Sequence, residues 1–311
     1  MPLDPQAKVY LDRLAALNIP PKGEVGPEKL RQQARDQIKT ISSTPDPVAQ
    51  VEDREIPGPE GSVPVRIYTP AGNGPFPLLV YSHGGGWVNC DLDTHDGICQ
   101  SLTNGAECIV VAVDYRRSPE NKFPAALEDC FAVAQWVAAN AADIKGDPAR
   151  IAVGGDSAGG NFAAVLALMA RDQGGPSLAL QLLIYPITDL RFVTPSMERN
   201  ATGFGLSRDD MVWYKQQYLT DEAETLNPLV SPYLAQDLSG LPPAFILTAE
   251  FDPLLDEAEL YGQRLQEAGV AVTISRYDGM IHGFIRMGAI MDRAKTALAE
   301  CSQALRSAFQ A

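Results

Sequence analysis

Histidine and cysteine, the side chains on which most transition-metal sites depend, are scarce in this chain. Its 311 residues include three histidines and five cysteines, and no Cys-x-x-Cys pair occurs. Zinc ribbons and dithiol redox centres are built on such pairs. We therefore expect no metal and no cofactor. The odd number of cysteines indicates reduced thiols, as in a cytoplasmic protein.

Positively charged residues and long apolar runs are also scarce. Lys and Arg number 25 against 39 Asp and Glu, which gives a net charge of −14. Proteins that bind nucleic acid or anionic membranes present basic surfaces. No stretch approaches the 18 apolar residues of a membrane span, and residues 1–20 lack the apolar centre of a signal peptide. We expect no nucleic-acid partner, no membrane association and a cytoplasmic location.

Short buried strands instead alternate with helices through most of the chain. The predicted strands are 63–69, 78–82, 109–113, 151–155, 180–185, 244–248 and 270–275, and the main predicted helices are 125–140, 161–170, 256–268 and 290–309. This alternation indicates a mostly parallel sheet that is covered by helices on both faces.

Two segments break the alternation. Residues 1–45 contain two amphipathic helices separated by a Pro/Gly break, and residues 190–225 lack a strand. Ser207 followed by Asp210 is a typical helix N-cap pattern inside the second segment. Because the N-terminal helices are too small to enclose a core, they must lie against another part of the protein. We interpret residues 190–225 as an insertion after a sheet strand.

The central feature is Gly155-Asp156-Ser157-Ala158-Gly159, a G-x-S-x-G sequence between a buried strand and a buried helix. A glycine-rich turn before an ordinary helix would share this pattern. Its position between strand and helix favours a nucleophile elbow, in which the small neighbours allow a sharp turn that lifts Ser157 above the sheet edge. The helix N-terminus favours negative charge at that point. Ser157 is therefore the candidate nucleophile.

A serine nucleophile needs a base, and the base needs an orienting carboxylate. His282 is the only histidine after Ser157, so the chain order Ser, acid, His of such folds selects it as the base. Asp252 follows the strand 244–248 and is the predicted acid, with Glu250 as the competing carboxylate. Asp156 adjoins the serine in sequence, but we expect its side chain to point elsewhere and assign it no catalytic role.

A second glycine-rich turn, His83-Gly84-Gly85-Gly86-Trp87, follows the strand 78–82. Backbone N–H groups of such a loop can point at a bound carbonyl oxygen, as an oxyanion hole requires. The amide after the nucleophile would be their partner. We expect His83 to brace this loop and His95 to be structural.

Four motifs together resemble the hormone-sensitive-lipase-like branch of the α/β-hydrolases, and more narrowly its bacterial carboxylesterases. They are His83-Gly-Gly-Gly-Trp87, Gly154-Gly-Asp-Ser-Ala-Gly-Gly160, Asp252-Pro-Leu254 and His282-Gly-Phe284. The resemblance extends from about residue 50 to the C-terminus. It implies an α/β-hydrolase fold, with an eight-stranded sheet and a helical cap.

The resemblance implies that the two irregular segments form the helical cap. The predicted divisions are cap helices in 1–45, catalytic core in 46–189, cap insertion in 190–225 and catalytic core again in 226–311. The resemblance also implies a triad of Ser157, Asp252 and His282. The oxyanion amides that it implies belong to Gly85, Gly86 and Ala158.

The predicted activity is hydrolysis of short- to medium-chain carboxylic esters through an acyl-enzyme. The predicted substrate pocket includes Gly84, Trp87, Asp156 and Ile281, with Trp87 narrowing one wall. An amidase or deacetylase would use the same machinery, and a receptor that reuses the fold would be expected to lack a triad member. Apart from a small-molecule ester, the predicted partner is a second copy of the chain, paired at the sheet edge near residues 270–275.

Overall fold

The computed structural model describes residues 2–18 and 20–311 and contains one eight-stranded sheet. Its strands are β1 (Gln50–Gly58), β2 (Gly61–Thr69), β3 (Phe76–Ser82), β4 (Ile109–Val113), β5 (Gly146–Asp156), β6 (Leu178–Ile184), β7 (Ala244–Phe251) and β8 (Val272–Ile281). The order across the sheet is β1-β2-β4-β3-β5-β6-β7-β8. β2 is antiparallel to both neighbours, and the remaining neighbouring pairs are parallel. The prediction of a mostly parallel eight-stranded sheet is confirmed.

Helices cover both faces of this sheet. They are α1 (Pro5–Ala16), α2 (Lys22–Val25), α3 (Pro27–Ile41), α4 (Leu92–Ala106), α5 (Ala125–Ala139), α6 (Ala158–Asp172), α7 (Pro195–Arg199), α8 (Arg208–Tyr218), α9 (Leu255–Glu267) and α10 (Asp292–Gln310). Side chains alternate across each strand, so Leu78 and Val80 of β3 join the core under α5, α6 and α9. Leu79 and Tyr81 join the core under α4 and α10.

Four of these elements were not predicted from the sequence, namely β1, α2, α4 and α7. β1 carries four consecutive charged residues, from Glu52 to Glu55, and buries only Ile56, so it lacks an apolar run. α4 is rich in Thr, Gly and Asn, which are weak helix formers, and is stabilised by a capping box between Asp91 and Thr94. β8 also continues to Ile281, past the predicted end at residue 275, so His282 follows the strand directly.

The two irregular segments meet above the carboxyl end of the sheet. Lys22 of α2 forms an ion pair with Asp210 of α8 at 2.8 Å, and the ring of Trp213 lies against Gly23. The predicted helix N-cap at Ser207 is present, because the Ser207 hydroxyl accepts the N–H of Asp210. Met1 and Ile19, which belong to the predicted segment 1–45, lie outside the described residues. In the ranges 2–18 and 20–311, no helix is both long and apolar enough to cross a membrane.

Candidate active site

The turn between β5 and α6 places Ser157 at the carboxyl end of the central strands. Ser157 has φ 57° and ψ −117°, a strained backbone conformation that small neighbours make possible. A Cβ on Gly159 would collide with the carbonyl oxygen of Ser82, and a Cβ on Gly155 would collide with the backbone of Gly159. The glycines are therefore required by close backbone approach, and the turn has the geometry expected of a nucleophile elbow.

Side chains from three separate strand ends meet at this turn. Nε2 of His282 lies 2.9 Å from Oγ of Ser157, and Nδ1 of His282 lies 2.6 Å from Oδ2 of Asp252. Asp252 is fully buried, and its second oxygen accepts the N–H of Leu254 at 2.9 Å. The competing carboxylate, Glu250, instead accepts the N–H of Gly279 at 2.7 Å. The structure thus brings Ser157, His282 and Asp252 into one hydrogen-bonded line.

The glycine loop after β3 lies beside Ser157. Gly85 and Gly86 have φ of 123° and 61°, and both line the cavity that contains Ser157. Within residues 2–18 and 20–311, the N–H groups of Gly85, Gly86 and Ala158 donate to no protein acceptor. Three unpaired N–H groups near a nucleophile are what an oxyanion hole requires.

His83 braces this loop from below. Its Nδ1 lies 2.8 Å from the carbonyl oxygen of Gly84, and its ring stacks on Tyr115 with centroids 4.3 Å apart. Burial, together with the nearby His95, lowers the pKa of His83 to about 3. The ring is therefore neutral at pH 7, with Nδ1–H donating to Gly84. These contacts fit a bracing role.

Asp156 has a function that the sequence did not reveal. Its carboxylate is buried and accepts the N–H of Gly84 at 2.9 Å and the hydroxyl of Tyr81 at 2.9 Å. Nε2 of His95 approaches the same carboxylate at 3.1 Å. Burial would raise the pKa of Asp156, but His95 and the hydrogen bonds outweigh it and hold the pKa well below its ordinary value. Asp156 is thus a charged anchor between the elbow and the glycine loop.

The signal for this anchor is the position of Asp156 at the end of the apolar, buried second half of β5, which begins at Ile151. Lys, Glu, Arg and Asp are almost never fully buried unless they are paired. A charge at such a position therefore implies convergent donors, although the sequence does not say which donors they are.

A cavity of about 570 Å³ opens above Ser157 and His282. Apolar side chains from both irregular segments line it, namely Leu11, Leu14, Leu30, Leu206, Met211 and Tyr214. Of the predicted pocket residues, Asp156 and Ile281 line this cavity. Gly84 lies outside the lining, with its N–H held by Asp156.

The predicted position of Trp87 is wrong. Its side chain is fully buried and stacks on Tyr218, with centroids 4.3 Å apart and an interplanar angle of 2°. Trp87 has φ 62°, and its indole belongs to the buried core rather than to the cavity wall. It supports the glycine loop from beneath and does not narrow the pocket.

The sheet order, the elbow and the Ser-His-Asp contacts together are those of a serine hydrolase. The family model described as the alpha/beta hydrolase fold matches residues 79–286. The chain is 45% identical over 263 residues to the carboxylic ester hydrolase LipN of Mycobacterium tuberculosis, which covers 83% of this chain and 70% of LipN. It is 41% identical to the carboxylesterase NlhH of the same organism, over 99% of this chain and 97% of NlhH.

Among solved structures, the hyperthermophilic esterase from the archaeon Pyrobaculum calidifontis superposes with a TM-score of 0.94. The two chains share 40% identity over 99% of each. The chain belongs to the α/β-hydrolase fold family, and the resemblance to its hormone-sensitive-lipase-like carboxylesterases is confirmed.

Proposed function

We propose that this protein is a serine carboxylesterase in which Ser157 attacks the ester carbonyl. The observation that carries the proposal is the continuous line of hydrogen bonds from Asp252 through His282 to Ser157. His282 accepts the serine proton and then donates it to the leaving alcohol. Asp252 fixes the imidazole with Nε2 toward the serine and stabilises its charged form.

The oxyanion is stabilised by the N–H groups of Gly85, Gly86 and Ala158. These donors are already oriented before the reaction, so they stabilise developing charge without a cost of reorganisation. The acyl group is then transferred to Ser157, and a water activated by His282 hydrolyses the acyl-enzyme. None of these steps calls on a metal or a cofactor.

The size of the cavity supports short- to medium-chain substrates. We assign the cap to residues 1–45 and 190–225, because side chains of both segments line the cavity above Ser157. Each methylene of the acyl chain contributes roughly 0.8 kcal/mol while it can be buried, and further methylenes cause strain once the space is filled. Activity should therefore rise from acetyl to about butanoyl or hexanoyl esters and then fall.

The test is a panel of nitrophenyl esters of increasing acyl length, measured beside the nitroanilide of the best acyl group, with Ser157→Ala as the blank. Rapid release of nitrophenol before steady state would reveal the acyl-enzyme. Faster hydrolysis of the anilide than of its ester would make the protein an amidase. A preference for long-chain emulsions over short soluble esters would contradict the short- to medium-chain preference that the cavity volume supports.

We also place the enzyme in the cytoplasm and expect it to be a homodimer. β8 forms one edge of the sheet, and a free edge strand can pair with a second chain. Light scattering at working concentrations tests this point, and a monomeric mass would contradict it.

A further inference from the structure

Arg286 brings a guanidinium to the wall of the cavity that contains Ser157 and His282. It ends the short turn Phe284–Arg286, which follows His282 and Gly283. Its Nη1 donates to Sγ of Cys90 at 3.3 Å, and its Nη2 lies 3.7 Å from where a Cβ on Gly283 would be. Cys90, Gly283 and Arg286 all line the cavity. The guanidinium therefore lies between the loop that carries the base and the loop that carries the oxyanion glycines.

The hydrogen-bonding capacity of this guanidinium is largely unused. Arginine has five N–H donors in a fixed fork. Within the described ranges 2–18 and 20–311, the Cys90 thiol is its only acceptor, no carboxylate forms an ion pair with it, and its Nε is buried without a partner. Buried charges are usually paired, because an unpaired charge loses its hydration without compensation. An anion from outside the chain would supply the missing acceptors.

The other charged groups on the cavity wall are already compensated. Lys22 and Asp210 pair with each other at 2.8 Å. The carboxylate of Asp156 is engaged by Gly84, Tyr81 and His95. The buried Asp156 carboxylate also attracts Arg286 through space, but no hydrogen bond joins the two groups among the described residues. Arg286 therefore lacks hydrogen-bond acceptors, which a bound carboxylate would supply.

We propose that Arg286 is a specificity-determining residue that binds a carboxylate of the substrate. The substrate class is then an ester that carries a free carboxylate on its acyl or alcohol part, such as a monoester of a dicarboxylic acid or an ester of a hydroxy acid. A guanidinium fork matches a carboxylate by two parallel hydrogen bonds, which a thiol cannot offer. This inference rests on the proposed ester hydrolysis.

The experiment compares each carboxylate-bearing ester with a neutral ester of the same shape, by pH-stat. Monoethyl glutarate is paired with ethyl pentanoate to test the acyl side, and 4-(butanoyloxy)butanoate is paired with butyl butanoate to test the alcohol side. The quantity measured is the ratio of kcat/KM within each pair, so that a general loss of activity in a variant cancels. The enzymes are wild type, Arg286→Met, Arg286→Lys and, as a matched control, Arg54→Met in β1 at the far edge of the sheet.

The ratio should fall about 10- to 100-fold in Arg286→Met for at least one pair, as expected for loss of a charge-assisted double hydrogen bond. The pair affected shows which side of the ester faces Arg286. Arg286→Lys should keep part of the preference, because it keeps the charge, and Arg54→Met should leave the ratio unchanged. An unchanged ratio for both pairs in an Arg286→Met enzyme that still hydrolyses the neutral esters overturns the proposal.

A measurement on wild type alone covers the case in which Arg286→Met does not fold. Glutarate and pentanoate are compared as competitive inhibitors of ethyl pentanoate hydrolysis, and 4-hydroxybutanoate is compared with 1-butanol. The additional carboxylate should strengthen inhibition about tenfold or more in one pair, and equal inhibition in both pairs overturns the proposal. A wild-type enzyme that hydrolyses none of the esters would instead overturn the proposed function.

Discussion

The cavity above Ser157 has two sides of different construction, a floor at the carboxyl end of the sheet and a roof that includes α1, α3 and α8. α6, which begins at the elbow, is buried from Ala158 to Ala170, whereas α1 buries only Ala7 and α3 only Leu30 and Ile41. The floor is held by buried carboxylates and backbone contacts. The comparison shows that the parts proposed for chemistry are fixed by the core, while the roof shapes the space for substrate.

Polar contacts attach the roof to the floor. Arg31 of α3 donates to the carbonyl oxygen of Val88 at 2.8 Å and to that of Ser118 at 2.9 Å. Arg35 of the same helix pairs with Asp91 at 2.5 Å. Both arginines thus contact the segment that continues from the glycine loop, so a change in the roof can reach the floor through two defined contacts.

The largest effect should follow from removing the proposed nucleophile from the floor. We expect Ser157→Ala to lower kcat by about 10⁴-fold or more and to abolish the acyl-enzyme, because among the described residues the hydroxyl of Ser157 is the one hydrogen-bonded to His282. His282→Ala should be comparably severe, and Asp252→Asn should be milder because it changes orientation rather than removing a reacting group. Ester turnover and mass spectrometry of the trapped acyl-enzyme measure these effects. Near-normal turnover in Ser157→Ala would contradict the mechanism.

A smaller effect should follow from weakening the anchor beneath the floor. Asn at position 156 has one acceptor oxygen where Gly84, Tyr81 and His95 converge, and it places an amide donor against one of them. We expect Asp156→Asn to lower kcat/KM on the order of 10²-fold, the size of effect seen when one oxyanion donor is lost.

The matched control for this prediction is Asp129→Asn, a buried carboxylate that binds Arg116 away from the cavity. It should lower the melting temperature without a comparable loss of kcat. Equal kinetic losses in the two variants would show that Asp156 acts only through stability.

The floor was largely predictable from the sequence because it is made of local patterns. An apolar strand, a glycine pair around a serine and a glycine triplet each specify their own turn, and chain order then selected His282. Asp252 is the predicted acid, with Glu250 as its competitor, and the structure brings Asp252 to His282. The conformation of each of these turns is determined by residues within a few positions of its own motif.

The features that sequence reasoning missed depend on contacts between distant segments. Trp87 turned toward the core because Tyr218, far along the chain, provides a stacking partner. The anchor role of Asp156 requires Gly84 and His95 to converge on it, and Arg286 becomes notable only because no carboxylate among the described residues pairs with it. Neither periodicity nor composition carries information of this kind.

The junction between floor and roof contains a buried acid, Glu257 of α9. Its Oε1 accepts the N–H groups of Thr188 and Asp189, where the chain leaves β6 for the insertion. Burial raises the pKa of Glu257 well above its ordinary value, despite these two hydrogen bonds. The folded protein therefore keeps a proton that the unfolded chain loses near pH 4.3, and this contribution to stability is lost as the pH rises toward the folded-state pKa.

Glu257→Gln should remove this pH dependence, because the amide mimics the protonated acid and does not titrate. The melting temperature of the variant minus that of wild type should increase as the pH rises from about 5 to about 8. Glu267→Gln, an exposed position on the same helix, is the control and should show a constant difference. A constant difference for Glu257→Gln as well would show that Glu257 is ionised in the folded protein throughout this range.

The smallest effect should come from loosening the roof at Arg31. This side chain also pairs with Glu120 at 2.7 Å, but Glu120 is exposed, and ion pairs of that kind contribute about 0.2–1 kcal/mol. We therefore expect Arg31→Met to change kcat/KM by about two- to fivefold, mainly through KM, because α3 shapes the substrate space without touching Ser157. Lys39→Met, which removes an exposed charge from the same helix, should have no measurable effect. A loss confined to kcat would instead show that the contact of Arg31 with Val88 holds the oxyanion loop in place, so that roof and floor act as one unit.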